Sequence, residues 1–348
     1  MRIGVVNDLH SALHVLCKAI EAGGHEVAWK ALDGAEAVSR CRADRPDVVL
    51  MDLIMPVMDG VEATRRIMAE APCPILVVTA TVTGNATRVY EALGAGALDA
   101  VDTPTLAPDG SVVGADRMLR RIDQVRQLAA EPHRALRVEA EPPPPISAPR
   151  SEGSSDLPPV LAIGASTGGP QALAVLLRGL PRPLRHAVLI VQHIGAPFVE
   201  GLADWLGREC SCPIATARDG EAIVPGRVVL GTGDRHLIAD RQGRIRCPEE
   251  PSELLHRPSV DVLFGSLASG PCRGVAVLLT GMGRDGATGL LELRGRGWWT
   301  IAQDRETSVV WGMPGTAVRE GAACEALPID AIAASAAKHL ARVAGGSA

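Results

Sequence analysis

From the amino end, the chain passes through short, almost unbroken apolar runs separated by longer stretches that are apolar on one face only. The runs are RIGVVND, EVAWKA, DVVLMDL, PILVVTA and ALDAVD; SALHVLCKAIEAG, GAEAVSRCRAD, VEATRRIMAE, NATRVYEALGAG and ADRMLRRIDQVRQLAA follow them in turn. Continuous apolar strands alternating with amphipathic helices predict five βα units and a parallel sheet covered on both faces. Residues 131–159, EPHRALRVEAEPPPPISAPRSEGSSDLPP, show no apolar period of either kind and mix Pro, Ser, Gly and acids, the composition of an extended linker. The alternation then resumes, with strands expected at VLAIGAS, AVLIVQH, RVVLG and GVAVLLTG and helices at QALAVLLRGL and FVEGLADWLGREC. The pattern predicts an α/β chain of two domains. An N-terminal (βα)5 unit with a parallel sheet occupies 1–125, a flexible Pro/Ser-rich linker 126–157, and a C-terminal α/β unit with a mainly parallel sheet 158–345.

A length of 348 residues suits two cores of ordinary size. Aromatic residues make up only 2 % against 47 % hydrophobic, so the cores must be built from Ala, Val, Leu and Ile. That favours parallel α/β architecture over an aromatic-rich sandwich. A net charge of −5 without any Lys/Arg run excludes nucleic acid as the expected partner. The opening MRIGVVND lacks the apolar stretch of a signal peptide, and no apolar run is long enough for membrane insertion, so a cytoplasmic location is expected. Of eight cysteines only Cys210 and Cys212 are close, and a zinc site needs a second pair; reduced thiols are the expected state.

Functional groups in a parallel sheet collect beyond the carboxyl ends of its strands. Asp8, Asp52 and Thr79 each close a predicted strand of the first unit, bringing two carboxylates and a hydroxyl to one rim. Oxygen ligands of this kind suit Mg²⁺. Any one of these residues is equally well read as a helix cap. The segment VVLMDLIMPVMDG resembles the phosphoacceptor segment of two-component receiver domains, with the likeness running over about residues 1–125. The resemblance implies that Asp52 takes a phosphoryl group from a histidine kinase, that Asp8 and Asp52 hold Mg²⁺, and that Thr79 bonds a phosphoryl oxygen. The chain departs from the receiver pattern at Asn7, where a second acid is usual, at Thr103, where a Lys is usual, and at Ala100, where an aromatic switch residue is usual. Without the lysine the phosphoryl oxygens lose a positive partner, so an altered switch is expected.

In VLAIGASTGGPQALAVLL, Gly164, Ser166 and Gly168 fit GxSxG, the turn that lifts a serine above a sheet. Similar turns also cradle phosphates, and a tight turn with a capping serine is the plain structural alternative. Two further strand ends shift the balance: AVLIVQH ends in His193, and GVAVLLTGMGRDG carries Asp285 just beyond its strand. Serine, imidazole and carboxylate on one rim supply nucleophile, general base and orienting acid. Their order, Ser then His then Asp, is not that of an α/β-hydrolase.

GASTGG, the Gln192–His193 pair, HRPSVDVLF at 256–264, LLTGMGRDGATGL at 278–290 and AQDRETSVVWGMPGTAV at 302–318 together resemble the chemotaxis protein-glutamate methylesterases of the CheB family over about 158–345. The likeness implies hydrolysis of glutamate γ-methyl esters on methyl-accepting receptors, with deamidation of receptor glutamines by the same acyl chemistry. Ser166 then attacks the ester while His193 moves the proton, and the N–H groups of Thr167, Gly168, Gly169 and Met282 are the expected oxyanion donors. No cofactor is expected in this second unit. Arg257 to Asp261 and Met313–Pro314 read equally well as a substrate groove or as stiff loops. The Asn7–Asp8 and Asp102–Thr103–Pro104 patterns look more like Wsp-type surface-sensing methylesterases, whose output feeds a cyclic-di-GMP signal. A receiver tethered to an esterase is expected to block it until phosphorylated. Two other functions stay open, a non-enzymatic receptor adaptor and a generic small-ester hydrolase.

Overall fold

The computed structural model describes residues 1–79, 86–130, 157–254 and 256–345. The chain divides into two compact units within Met1–Arg137 and Val138–Ala348.

The first unit runs β1 (Arg2–Val6), α1 (His10–Ala22), β2 (Glu26–Ala31), α2 (Gly34–Ala43), β3 (Val48–Met51), α3 (Gly60–Glu70), β4 (Ile75–Thr79), α4 (Ala86–Gly94), β5 (Asp99–Asp102), a small hairpin of β6 (Thr105–Leu106) and β7 (Val112–Val113), and α5 (Asp116–Ala130). The five main strands pair in parallel in the order β2-β1-β3-β4-β5. The order reverses between β1 and β3, which opens a crevice at their carboxyl ends. Ile3, Val5, Val48, Leu50, Leu76 and Val78 form the sheet's share of a buried cluster with Leu16 and Ile20 of α1 and Met118 and Ile122 of α5. Each such side chain contributes roughly 1.5–3 kcal/mol when removed from water. Side chains cap the helices that leave the crevice: Asp33 accepts from the N–H groups of Ala35 and Glu36, and Asp59 from that of Glu62. The helix α5 ends at Ala130, where the expected helix ADRMLRRIDQVRQLAA also ends. The remainder of the expected linker, 131–156, lies outside the described residues.

The second unit runs β8 (Val160–Ala165), α6 (Gly169–Gly179), β9 (Ala187–Gln192), α7 (Ala196–Cys210), β10 (Ile214–Thr216), β11 (Val228–Leu230), a hairpin of β12 (Ile238–Ala239) and β13 (Ile245–Arg246), α8 (Val260–Ser269), β14 (Gly274–Leu278), α9 (Ala287–Gly295), β15 (Trp299–Gln303), α10 (Met313–Arg319), β16 (Glu325–Leu327) and α11 (Ile329–Gly345). Seven strands form one parallel sheet in the order β10-β11-β9-β8-β14-β15-β16. The four strands expected from the apolar runs are β8, β9, β11 and β14, at and beside the sheet's centre. The outer β10, β15 and β16 are additional. The edge strands β10 and β16 have only three residues each, and β15, paired on both sides, carries the polar Thr300 and Gln303. The reversal of strand order falls at β8, with β9 on one side and β14 on the other.

Candidate active site

The seryl turn leaves the central strand at this reversal. Ala165 lies opposite Gln192 in the parallel pairing of β8 and β9, so Ser166 and His193 emerge from adjacent strand ends. The His193 N–H donates to Ala165 O at 3.0 Å, and Gln192 Nε2 donates to Ser166 O at 2.8 Å, tying the two ends together. On the other side the Ser166 N–H donates to Thr280 O at 3.0 Å. Gly281 follows, and a Cβ there would lie 2.8 Å from Ser166 Cβ and 2.3 Å from Met313 Sδ, so only glycine allows this approach. Gly168 has φ +76°, and a Cβ on it would meet Val309 at 2.6 Å. Small residues around the serine are thus demanded twice, by backbone conformation and by space.

Asp285 reaches the imidazole from the loop before α9. His193 Nε2–H donates to Asp285 Oδ2 at 2.7 Å. The other side of the carboxylate faces the N-terminus of α8: Ser259 Oγ donates to Oδ1 at 2.8 Å, and the N–H groups of Val260 and Asp261 donate to Oδ2 at 2.7 Å and Oδ1 at 3.0 Å. Burial opposes ionisation of Asp285, but the His193 hydrogen bond and charge and these backbone donors outweigh it, holding the carboxyl well below the usual carboxylate range. Asp261, by contrast, is pushed up to about 6, chiefly by burial and further by the charge of Asp285, although its Oδ1 accepts from the Gly289 N–H at 2.7 Å.

His193 Nδ1 is buried and has no hydrogen-bond partner among the described residues. The ring of His256 stacks on that of His193 with centroids 4.1 Å apart and planes 11° from parallel. Imidazole stacking and the Asp285 bond together limit rotation of the His193 ring. The Gly169 N–H closes the turn on Ser166 O at 2.8 Å, which takes it out of the expected set of oxyanion donors. The N–H groups of Thr167, Gly168 and Met282 make no such bond among the described residues. Thr280 Oγ1 links the seryl loop to the 310 loop, donating to Thr167 O at 3.0 Å and accepting from the Val310 N–H at 2.9 Å.

The HRPSVD segment has a role that neither a substrate groove nor a stiff loop describes: its Ser259, Val260 and Asp261 hold Asp285. Met313 and Pro314 are buried at the start of α10, and Met313 Sδ lies against Gly281 beside Ser166. Arg257 donates through Nη2 to Ser252 O at 3.1 Å, within its own loop. The residues overlooked in the sequence are Ser259 as the carboxylate's hydroxyl donor and His256 as the stacked ring. Both lie in a motif that had been singled out, but spacing alone gave no sign of what they touch.

In the first unit Asn7, Asp8, Asp52 and Thr79 stand at the ends of β1, β3 and β4. Asn7 is buried, and its Nδ2 donates to Asp52 Oδ2 at 2.9 Å while its Oδ1 accepts from the Leu9 N–H at 2.9 Å. The Leu53 N–H donates to Asp52 Oδ1 at 2.7 Å. Burial pushes the Asp52 carboxyl up to about 6, against the backbone donors of Leu53 and Ile54, and the charge of Asp8 adds to the rise. A buried carboxylate beside a second acid favours a bound cation, and the oxygen donors suit Mg²⁺. Asn7 lowers the negative charge of the set and occupies one Asp52 oxygen. Among the described residues no group of three His, Cys, Asp or Glu side chains could hold a metal ion. Thr103, at the expected lysine position, donates its N–H to Thr79 O at 2.9 Å, and Ala100 is buried in β5. Among the described residues no helix is long and apolar enough to cross a membrane.

The model of the CheB methylesterase family matches residues 161–336, and that of the response regulator receiver domain matches residues 3–108. Protein-glutamate methylesterase/protein-glutamine glutaminase 3 of Pseudomonas aeruginosa is 47 % identical over 336 residues, covering 96 % of this chain and 98 % of that protein. Protein-glutamate methylesterase/protein-glutamine glutaminase 4 of Burkholderia thailandensis is 48 % identical over 335 residues, covering 96 % of both. The crystal structure of the Thermotoga maritima CheB methylesterase catalytic domain matches with a TM-score of 0.50 at 33 % identity, covering 52 % of this chain and 98 % of that one. The chain therefore belongs to the CheB methylesterase family, with a response-regulator receiver domain ahead of its catalytic domain.

Proposed function

We propose that this protein hydrolyses glutamate γ-methyl esters on methyl-accepting receptors, deamidates receptor glutamines by the same chemistry, and is controlled by phosphorylation of Asp52. The observation that carries the reading is the buried pair of His193 and Asp285 beside the turn of Ser166. With Nε2–H held by Asp285, the imidazole presents its unpaired Nδ1 as the base for Ser166 Oγ. The serine oxygen bonds to the ester carbonyl carbon and its proton passes to Nδ1. The N–H groups of Thr167, Gly168 and Met282 serve as donors to the oxyanion. Collapse of the tetrahedral intermediate breaks the bond to the methoxy oxygen, which takes the Nδ1 proton and leaves as methanol. Water then repeats the sequence on the acyl-enzyme and releases the glutamate. Asp285, already ionised, stabilises the imidazolium at both stages.

In the receiver, Asp8 and Asp52 would hold Mg²⁺, which would supply positive charge against the repulsion between the Asp52 carboxylate and an incoming phosphoryl group. The phosphoryl donor is a histidine kinase, and Thr79 is positioned at the strand end to bond a phosphoryl oxygen. The working units are a receiver over about 1–125 and a catalytic domain from about 158 to 345, acting in the cytoplasm. The finer placement in a Wsp-type surface-sensing pathway rests on Asn7 and Thr103. The decisive experiment measures methanol release from a methylated receptor fragment, with and without a phosphoryl donor. Ser166→Ala is expected to lose several powers of ten in turnover. Retention of most activity would falsify the assignment of the serine.

A further inference from the structure

Asp285 owes its position to the first turn of α8, and that turn is itself held by a group outside the site described above. His236 lies on the segment between β11 and β12 and is 1 % exposed. Its Nδ1 accepts from the Ser259 N–H at 3.2 Å, and its Nε2–H donates to Pro251 O at 3.0 Å. An imidazole with this pair of partners is the neutral tautomer protonated on Nε2. Ser259 is the N-cap of α8, with φ −103° and ψ 138°, and its hydroxyl reaches Asp285 Oδ1. The backbone N–H of a capping residue is not used by its own helix. Here it is anchored from the far side by His236, which fixes the rotation of the Ser259 backbone and so the direction of Oγ and of the two N–H groups that follow.

We infer that His236 is a positioning residue for catalysis: through Ser259 it sets the place of Asp285, and through Asp285 the orientation of the His193 ring. The inference rests on the reading of Asp285 as the acid partner of His193. His236 touches neither substrate nor reacting atoms. Its role differs from that of a buried side chain that only satisfies a polar group, because the donor it receives belongs to the residue whose hydroxyl holds the carboxylate. A small displacement of a catalytic group is enough to lower the rate by about two powers of ten.

Two substitutions separate the acceptor from the donor function. In His236→Asn the amide oxygen takes the place of Nδ1 and still accepts from Ser259, while the bond to Pro251 is lost. In His236→Gln the amide nitrogen takes the place of Nε2 and still reaches Pro251, while Ser259 loses its acceptor. Methanol release from a methylated receptor fragment by the full chain is expected to show kcat reduced about 10- to 100-fold in His236→Gln with KM little changed, and within about threefold of the parent in His236→Asn. The low-field proton of the His193–Asp285 bond, followed by NMR, is expected to shift or broaden in the Gln variant only. Equal losses of kcat in the two variants, in step with their urea midpoints, would reduce His236 to a structural residue and overturn the inference. So would a Gln variant with parental kcat. Should neither variant fold, nitrogen-15 shifts of the parent protein decide, since an Nδ1-protonated His236 cannot accept from Ser259. A parallel Ser166→Ala variant keeps the two claims apart: if it stays active the triad reading fails, whereas an inactive Ser166→Ala beside a fully active His236→Gln removes only the role of His236.

Discussion

Two aspartates stand at strand ends of two parallel sheets in one chain, both largely removed from water, and their carboxyl groups are driven in opposite directions. Asp285 receives a hydroxyl, two backbone N–H groups and an imidazole N–H, and stays ionised well below the ordinary range. Asp52 receives the Asn7 amide and the backbone donors of Leu53 and Ile54, has Asp8 as its neighbour, and is pushed up to about 6. Burial acts against the charged form at both, so the difference lies in how many donors surround the carboxylate and in the sign of the nearest charge. The first arrangement suits a permanent negative charge that steadies an imidazolium. The second suits a carboxylate held short of partners, ready for a cation and a phosphoryl group.

The strongest way to break this contrast is to remove the charge from Asp285, the member with more donors. Asp285→Asn places an amide N–H against donors that need an acceptor, and esterase turnover is expected to fall by about 10³–10⁴. Urea unfolding is expected to register a loss on the order of 2–4 kcal/mol at the same time, because buried donors are left unpaired. An Asn variant with near-parental turnover would end the analogy with other acid–imidazole pairs.

Neutralising Asp52, the member with fewer donors, is expected to do the opposite. A carboxyl raised to about 6 in the folded protein, against an unfolded value near 3.9, retains a proton that the unfolded chain releases. Stability from this group therefore falls as pH rises through the interval from about 4 to about 6, and the full cost stands above it. Asp52→Asn relieves the cost, offset in part by a donor facing Asn7 Nδ2. In EDTA the variant is expected to be more stable than the parent at pH 7 by on the order of 1–2 kcal/mol, with the advantage gone below about pH 4. Urea titrations at the two pH values check the sign, and intact mass after acetyl phosphate and Mg²⁺ is expected to change in the parent alone.

The smallest effect sharpens the contrast by restoring the acid that this receiver lacks. Asn7→Asp withdraws the amide donor from Asp52 and adds a carboxylate, which is expected to tighten Mg²⁺ about tenfold, as measured by isothermal titration. The same variant in EDTA is expected to be less stable than the parent at pH 7, since three carboxylates then crowd one rim.

The placement of Ser166, His193, Asp285 and Asp52 beyond strand ends could be read from the sequence because each follows an apolar run whose continuity marks a buried parallel strand. The outer β10, β15 and β16 left a weaker trace, being short or polar enough to resemble loops. The end of α5 at Ala130 was legible because the amphipathic repeat of ADRMLRRIDQVRQLAA runs to that residue before the proline-rich stretch begins. His236, Ser259 and His256 carried no signal of their roles, since a histidine or serine on a loop looks the same whether it caps a helix or holds a catalytic carboxylate.

The order of apolar and polar residues was sufficient to determine two α/β units, and the separated motifs carried the resemblance to the family, because both depend on local periodicity and on segments contiguous in the chain. Only the tertiary structure decided which nitrogen of His193 faces Asp285, that α8 brings its first turn to that carboxylate, and that the Asn7 amide donates to an Asp52 oxygen. Those outcomes depend on hydrogen-bond directions and burial between residues tens of positions apart, and neither is encoded in spacing.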